Sequence, residues 1–244
     1  MKKINIGNSG LLASEISLGI MRMNALTHEE ATVVIRTAVD NGIDYFDHAD
    51  IYGRGTSEEI FGKAFKELGI ARDSVMLQTK CGIVPGVMFD FSKEHIIASV
   101  EGSLKRLQTD YVDALLLHRP DTLMEPEEVA EAFDALHKAG KVRHFGVSNQ
   151  NPMQIELLKK AVTQPLLINQ LQLSLTHAPM IDAGFNVNMM NNPSFMHDGS
   201  VLEYSRISDM TIQPWSPFQA GNGKKGLFFD HPDYPELNEK INTI

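Results

Sequence analysis

Short apolar runs alternate with helix-period segments along most of this chain, and that alternation constrains its fold more than any other feature. The runs lie at 15–19, 45–49, 75–80, 111–118, 142–148, 166–173 and 211–216. Between them, apolar residues recur at helical spacing. Ala31, Val34, Ile35, Ala38 and Val39 form one such face, and Ile60, Ala64, Phe65 and Leu68 the next. Ile96, Ile97, Val100, Leu104 and Leu107 form a third, and Val129, Phe133 and Leu136 a fourth. Strands joined by helices of a dozen residues build a parallel sheet. The strands are nearly continuous apolar runs, as expected where both faces of a sheet are covered.

Local signals mark the element ends. Thr27 with Glu30, and Thr56 with Glu59, have capping-box spacing. Ser92 opens a helix, Pro126 suits a first turn, and Asn151-Pro152 with Gln154 combines a cap, an N1 proline and a reciprocal glutamine. Gly42 and Gly140 are placed as helix stops. Residues 4–6 and 11–18 flank Gly7-Asn8-Ser9-Gly10 and predict an N-terminal β-hairpin. A polar, Met- and Asn-rich stretch at 176–199 precedes a helix near 200–208. Polar residues end nearly every strand. An open doubly wound sheet concentrates its site at one switch point, whereas a barrel gathers one residue per strand onto a single rim. The expectation is therefore an α/β chain folded as a (β/α)8 TIM-type barrel. No Pro/Gly/Ser linker divides it, so residues 1–244 form one domain.

Composition excludes several classes. The formal charge of −9 and the absence of long Lys/Arg runs speak against a nucleic-acid partner. No apolar run is long enough for a membrane span, and the N-terminus carries no signal-like segment, which predicts a cytoplasmic protein. Cys81 is the single cysteine, so no intrachain disulfide exists. His118, His137, His144, His177 and His197 lack metal-ligand spacing, and no metal is expected. Gly53-Arg-Gly55 begins like a dinucleotide-binding glycine motif, but Glu58 stands where its third glycine would be.

The predicted rim carries Asp47 and Tyr52 after the second strand, Lys80 after the third and His118 after the fourth. Ser148-Asn149 end the fifth, Asn169-Gln170 lie in the sixth, and Trp215-Ser216 end the seventh. Asp, Tyr, Lys and His suit carbonyl reduction. Hydride addition leaves an oxyanion that needs a proton. A free phenol titrates near pH ~10 and is a weak acid at neutral pH. A nearby ammonium lowers that value, and a carboxylate holds the ammonium in place. The roles follow: Tyr52 acid, Lys80 tuner of its pKa, Asp47 partner of Lys80, His118 donor to the carbonyl oxygen. The hydride must come from a cofactor. Trp215 offers a flat face for a nicotinamide, and Ser148, Asn149 and Gln170 offer polar groups for its carboxamide.

The chain resembles the aldo-keto reductases, and within them the bacterial oxidoreductase branch. The resemblance rests on Gly-Ile-Asp-Tyr-Phe-Asp-His-Ala-Asp-Ile-Tyr-Gly (42–53), Gln-Thr-Lys (78–80) and Leu-Leu-Leu-His-Arg-Pro-Asp (115–121). It continues through Gly-Lys-Val-Arg-His-Phe-Gly-Val-Ser-Asn (140–149), Asn-Gln-Leu-Gln (169–172) and Pro-Trp-Ser-Pro-Phe (214–218). It implies a (β/α)8 barrel that reduces a small aldehyde or ketone with NADPH. The family's catalytic residues fall on Asp47, Tyr52, Lys80 and His118. Its nicotinamide contacts fall on Ser148, Asn149, Gln170 and Trp215. Ser216 and Phe218 match the loop toward the pyrophosphate, and Gly19 and Met21 match the cofactor-lining segment after strand one. The resemblance also implies a non-catalytic alternative, because channel-associated β-subunits use the same scaffold. Relative to the family pattern, the eighth strand and terminal helices are missing. Weakened cofactor affinity, low stability and self-association through the two strand edges are the expected consequences. Lys224 and Lys225 read as part of a solvated loop, with a small anion contact as the alternative.

Overall fold

The computed structural model describes residues 1–195, 198–221 and 223–244. Its first elements are β1 (Lys3–Ile6) and β2 (Leu11–Ser14), paired antiparallel as the expected hairpin. Next come β3 (Leu18–Gly19), α1 (His28–Asp40), β4 (Tyr45–Asp47), α2 (Thr56–Glu67) and β5 (Met76–Cys81). A small hairpin of β6 (Ile83–Val84) and β7 (Met88–Phe89) leads to α3 (Lys93–Leu107), β8 (Val112–Leu117), α4 (Pro126–Lys138) and β9 (Val142–Ser148). The chain continues through α5 (Pro152–Leu158), β10 (Leu166–Gln172), α6 (Pro179–Phe185), α7 (Val201–Ile207), β11 (Thr211–Trp215) and α8 (Pro235–Ile241).

The seven parallel strands form one sheet in the order β11-β10-β9-β8-β5-β4-β3. Among the described residues, β3 and β11 each have one strand neighbour. The sheet is nonetheless strongly curled. Gln78 on β5 donates from Nε2 to Gln213 Oε1 on β11 at 2.8 Å, although four strand spacings separate them along the sheet. On a flat sheet those strands would stand about 19 Å apart. The architecture is a (β/α)8-type barrel wall, incomplete on one side.

Period-two alternation fills both faces of the wall. Leu115 and Leu117 of β8 pack outward under the helices, in the large cluster with Phe61, Val100, Phe133 and Phe145. Ala114 and Leu116 of the same strand point inward, with Tyr45, Met76, Leu167 and Ile168. The N-terminal hairpin contributes Ile6 and Ala13 to this inner cluster. Gly7 makes that close approach possible. Its φ is +55°, and an added Cβ would lie 2.9 Å from the Leu167 carbonyl oxygen. Its N–H donates to Thr211 Oγ1 at 2.8 Å, tying the hairpin to β11.

Three local expectations need correction. The first core strand shrinks from 15–19 to β3, because Ser14 Oγ donates to the Ile16 carbonyl and turns the chain before pairing begins. Thr56 does not cap α2. Gly53, Arg54 and Gly55 all have positive φ, Gly55 becomes the N-cap, and Thr56 Oγ1 donates to the Gly53 carbonyl. The 176–199 stretch holds the short α6, which its polar composition did not announce. Thr27 and Asn151, by contrast, close complete capping boxes with Glu30 and Gln154.

Candidate active site

The ends of β4 and β5 place two opposite charges side by side. Asp47 is the last residue of β4 and pairs in register with Gln78. Lys80 lies two residues further along β5, on the same side of the strand. Its side chain is fully buried, with Nζ 2.8 Å and 2.9 Å from the two Asp47 carboxylate oxygens. Nζ also donates to the His48 carbonyl at 2.7 Å and to the Tyr52 hydroxyl at 3.2 Å. An ammonium has three protons, and all three have acceptors. Tyr52 therefore accepts through its oxygen and keeps its own proton for another acceptor. It is delivered here by the 3-10 turn Tyr52–Gly55 that follows β4. The His118 ring stands edge-on to Tyr52, centroid to centroid 5.8 Å. The structure thus brings together Asp47, Tyr52, Lys80 and His118.

Burial dominates the electrostatics. It pushes the Tyr52 phenol above its ordinary value, with Lys80 pulling the other way. This corrects the expected sign, since the ammonium does not outweigh the lost solvation. Burial lowers the affinity of Lys80 for its proton, but Asp47 and Tyr52 more than reverse this and hold it charged. Burial, with help from Lys80 and Arg119, lowers His118 to about 3, so the ring is neutral at ordinary pH. Its buried Nδ1 has no hydrogen-bond partner among the described residues.

A second group adjoins the first. Ser148 ends β9, and Asn149 follows in the left-handed region with φ 58°. That turn is held by Asn149 N–H donating to the Gln170 carbonyl at 3.0 Å. Asn149 Nδ2 donates to Ser148 Oγ at 2.7 Å and to the His118 carbonyl at 3.4 Å. Asn149 Oδ1 accepts from the Trp215 indole at 3.1 Å. Ser148 Oγ donates to the Gln170 carbonyl at 3.0 Å. These groups largely hold one another, which leaves a partly exposed indole, one Gln170 amide N–H and the spare lone pairs of Asn149 and Ser148 for a nicotinamide ring and its carboxamide, a set that fits that group. Asn169, its neighbour in β10, is committed to the Gln150 carbonyl instead.

The remaining predicted residues sit less centrally. Gly19 pairs in register with Asp47, and an added Cβ there would meet nothing within 4 Å. Met21 is exposed, and its carbonyl accepts from Ser57. Ser216 has φ 51° and accepts from Gln219 N–H, turning the chain out of β11. Phe218 packs with Phe228 and Phe229 and is half exposed. Lys224 pairs with Asp233 at 2.9 Å, which occupies one of the two candidate anion contacts. Cys81 is buried, and burial pushes its thiol well up. Among the described residues, no cluster of three His, Cys, Asp or Glu could hold a metal, and no helix is long and apolar enough to cross a membrane. His197 lies outside the described residues.

Sequence reasoning passed over a polar layer beneath the site. Gln78 Nε2 also donates to Asp47, while Tyr45 donates to Gln78 and Gln170 donates to Gln213. Glutamines at matching positions in otherwise apolar strands were the available signal. Arg119, directly after His118, was also passed over.

Comparison with known proteins identifies the family. The Aldo/keto reductase family model matches residues 15–225. The uncharacterized oxidoreductase YcsN of Bacillus subtilis (strain 168) is 42% identical over 233 residues, covering 91% of this chain and 72% of that protein. Oxidoreductase YdhF of Escherichia coli (strain K12) is 38% identical over 190 residues, covering 74% of this chain and 64% of that one. Among solved structures, the thermostable aldo-keto reductase Tm1743, in complex with the inhibitor epalrestat, superposes with a TM-score of 0.73 at 26% identity. That match covers 88% of this chain and 73% of that one. The chain therefore spans 64–73% of the length of these three proteins. With a family match across most of its length and the same fold in solved members, the chain belongs to the aldo/keto reductase family.

Proposed function

We propose that this protein is a cytoplasmic, NADPH-dependent reductase of aldehydes or ketones, with Tyr52 as general acid. One observation carries the reading: Asp47, Lys80 and Tyr52 form a continuous chain of contacts that ends on a phenol with its proton uncommitted. NADPH, when bound, supplies the hydride. As hydride reaches the carbonyl carbon, the C=O electron pair moves onto oxygen and Tyr52 gives that oxygen its proton. The phenolate left behind faces the Lys80 ammonium, which Asp47 keeps charged. Neutral His118 donates an N–H to the same oxygen and fixes its orientation. Ser148, Asn149 and Gln170 would hold the carboxamide, and Trp215 would flank the ring.

Single-turnover oxidation of bound NADPH by a generic aldehyde tests the proposal, with NADH run alongside. Tyr52→Phe is expected to slow this step by about 10²–10⁴-fold while NADPH still binds. An unchanged rate would remove Tyr52 from the acid role. Binding without any oxidation in the wild-type chain would favour the non-catalytic reading.

A further inference from the structure

Arg119 is an exposed cation at the catalytic rim, one residue beyond His118. Its guanidinium carbon lies 5.8 Å from the centroid of the Trp215 ring. Among the described residues it has no hydrogen bond and no ion pair. The other arginines near the barrel wall are differently placed. Arg72 and Arg143 both bind Asp113, and Arg106 binds buried Glu58. The acid nearest Arg119 in sequence is turned elsewhere, since Asp121 accepts from the backbone N–H groups of Phe91 and Leu123. The rim carboxylate, Asp47, is held by Lys80 and Gln78. This guanidinium lies over the rim indole, close enough to Tyr52 and His118 to act on both electrostatically, and has no protein anion as partner among the described residues. Its planar fork matches carboxylate and phosphate.

Resting on the reductase reading above, we propose that Arg119 is a specificity-determining residue that docks a carboxylate or phosphate carried by the carbonyl substrate. Anionic aldehydes are then preferred over uncharged ones of the same shape. An anion held beside Trp215 also restricts which way the carbonyl can face Tyr52. Because Arg119 is exposed, added salt weakens the preference.

The test compares succinic semialdehyde with its uncharged methyl ester. The wild-type chain is expected to favour the acid in kcat/KM by about tenfold or more. Arg119→Gln brings the ratio close to one, mainly through KM, and Arg119→Lys recovers part of it. Arg119 also acts electrostatically on Tyr52 and His118, so a loss common to both substrates is expected and cancels in the ratio. Trp215 is the chain's one tryptophan, so its fluorescence gives a readout that needs no cofactor. Titration with succinate is expected to change it saturably in the wild type and not in Arg119→Gln, with succinamide inert in both. A wild-type ratio near one, or a ratio unchanged in Arg119→Gln, overturns the proposal. So does a variant whose main loss is NADPH affinity, which would assign Arg119 to the cofactor's phosphates. If neither aldehyde is reduced, the reductase reading falls, while the succinate titration still decides the role of Arg119.

Discussion

Lys80 is the residue on which the site's electrostatics turn. A buried ammonium is costly unless paired, and this one has Asp47, a carbonyl and a phenol around it. Lys80→Met is therefore expected to destabilise the fold by about 3–5 kcal/mol, because it leaves the Asp47 carboxylate without its counter-ion. Urea unfolding measures this, and a loss below about 1 kcal/mol would mean that solvent already screens Asp47. The pH profile of reduction is a second test. His118 is neutral above about pH 3, and the phenol titrates above its ordinary range. The rate should therefore show no inflection near the ordinary histidine value of about 6.5. It should fall only when pH rises through the tyrosine's own pKa. An inflection near neutrality that Asp50→Asn leaves in place would show that His118 is solvated. The convergence of Asp47, Tyr52, Lys80 and His118 was legible because each ends or follows an apolar run that delivers it to one rim. The sign of the Tyr52 shift was not legible, because it depends on how much solvent the surrounding chain removes.

Elements sharpen the contrast between local propensity and packing. Gly62 lies inside α2, where helix propensity alone favours alanine by about 1 kcal/mol. The neighbouring helix forbids it, since an added Cβ would lie 2.4 Å from the Arg106 carbonyl oxygen on α3. Gly62→Ala is expected to destabilise by about 1–3 kcal/mol, with thermal unfolding as the measurement. A more stable variant would mean that α2 and α3 can separate freely. Asn151→Ala removes a working capping box and should cost about 1 kcal/mol. Thr56→Ala should cost less, because Thr56 is not a cap despite its matching spacing. The two signatures look alike in sequence. They differ because three successive left-handed residues carry the chain into α2 at an angle that puts Gly55 in the capping position.

The molecule as a whole couples its buried groups to acid. His48 and His118 are both lowered to about 3, chiefly by burial. Each contributes stability that is present above the unfolded histidine value of about 6.5 and lost as pH falls toward 3. Asp50 acts oppositely. Burial and Glu58 raise it to about 7, so the native state holds a proton that the unfolded chain releases. Between about pH 4 and 6.5, the unfolded chain gains two protons at the histidines and lacks the one held by Asp50. These three groups should therefore tilt stability by about 1.4 kcal/mol per pH unit, with loss on acidification. Urea midpoints across that window check the slope, and His48→Gln should flatten it.

The barrel-type α/β fold, the order of its strands and the four polar residues, Asp47, Tyr52, Lys80 and His118, that meet at its rim followed from the chain alone. Periodicity separates strands from helices locally, and each strand carries its terminal polar residue wherever it goes. What required the assembled molecule was everything set by contacts between distant segments. The curl that lets Gln78 reach Gln213, the burial that raises Tyr52 and neutralises His118, and the placement of Arg119 against Trp215 are of this kind. The physical reason is shared: desolvation and side-chain distance depend on which surfaces meet in space.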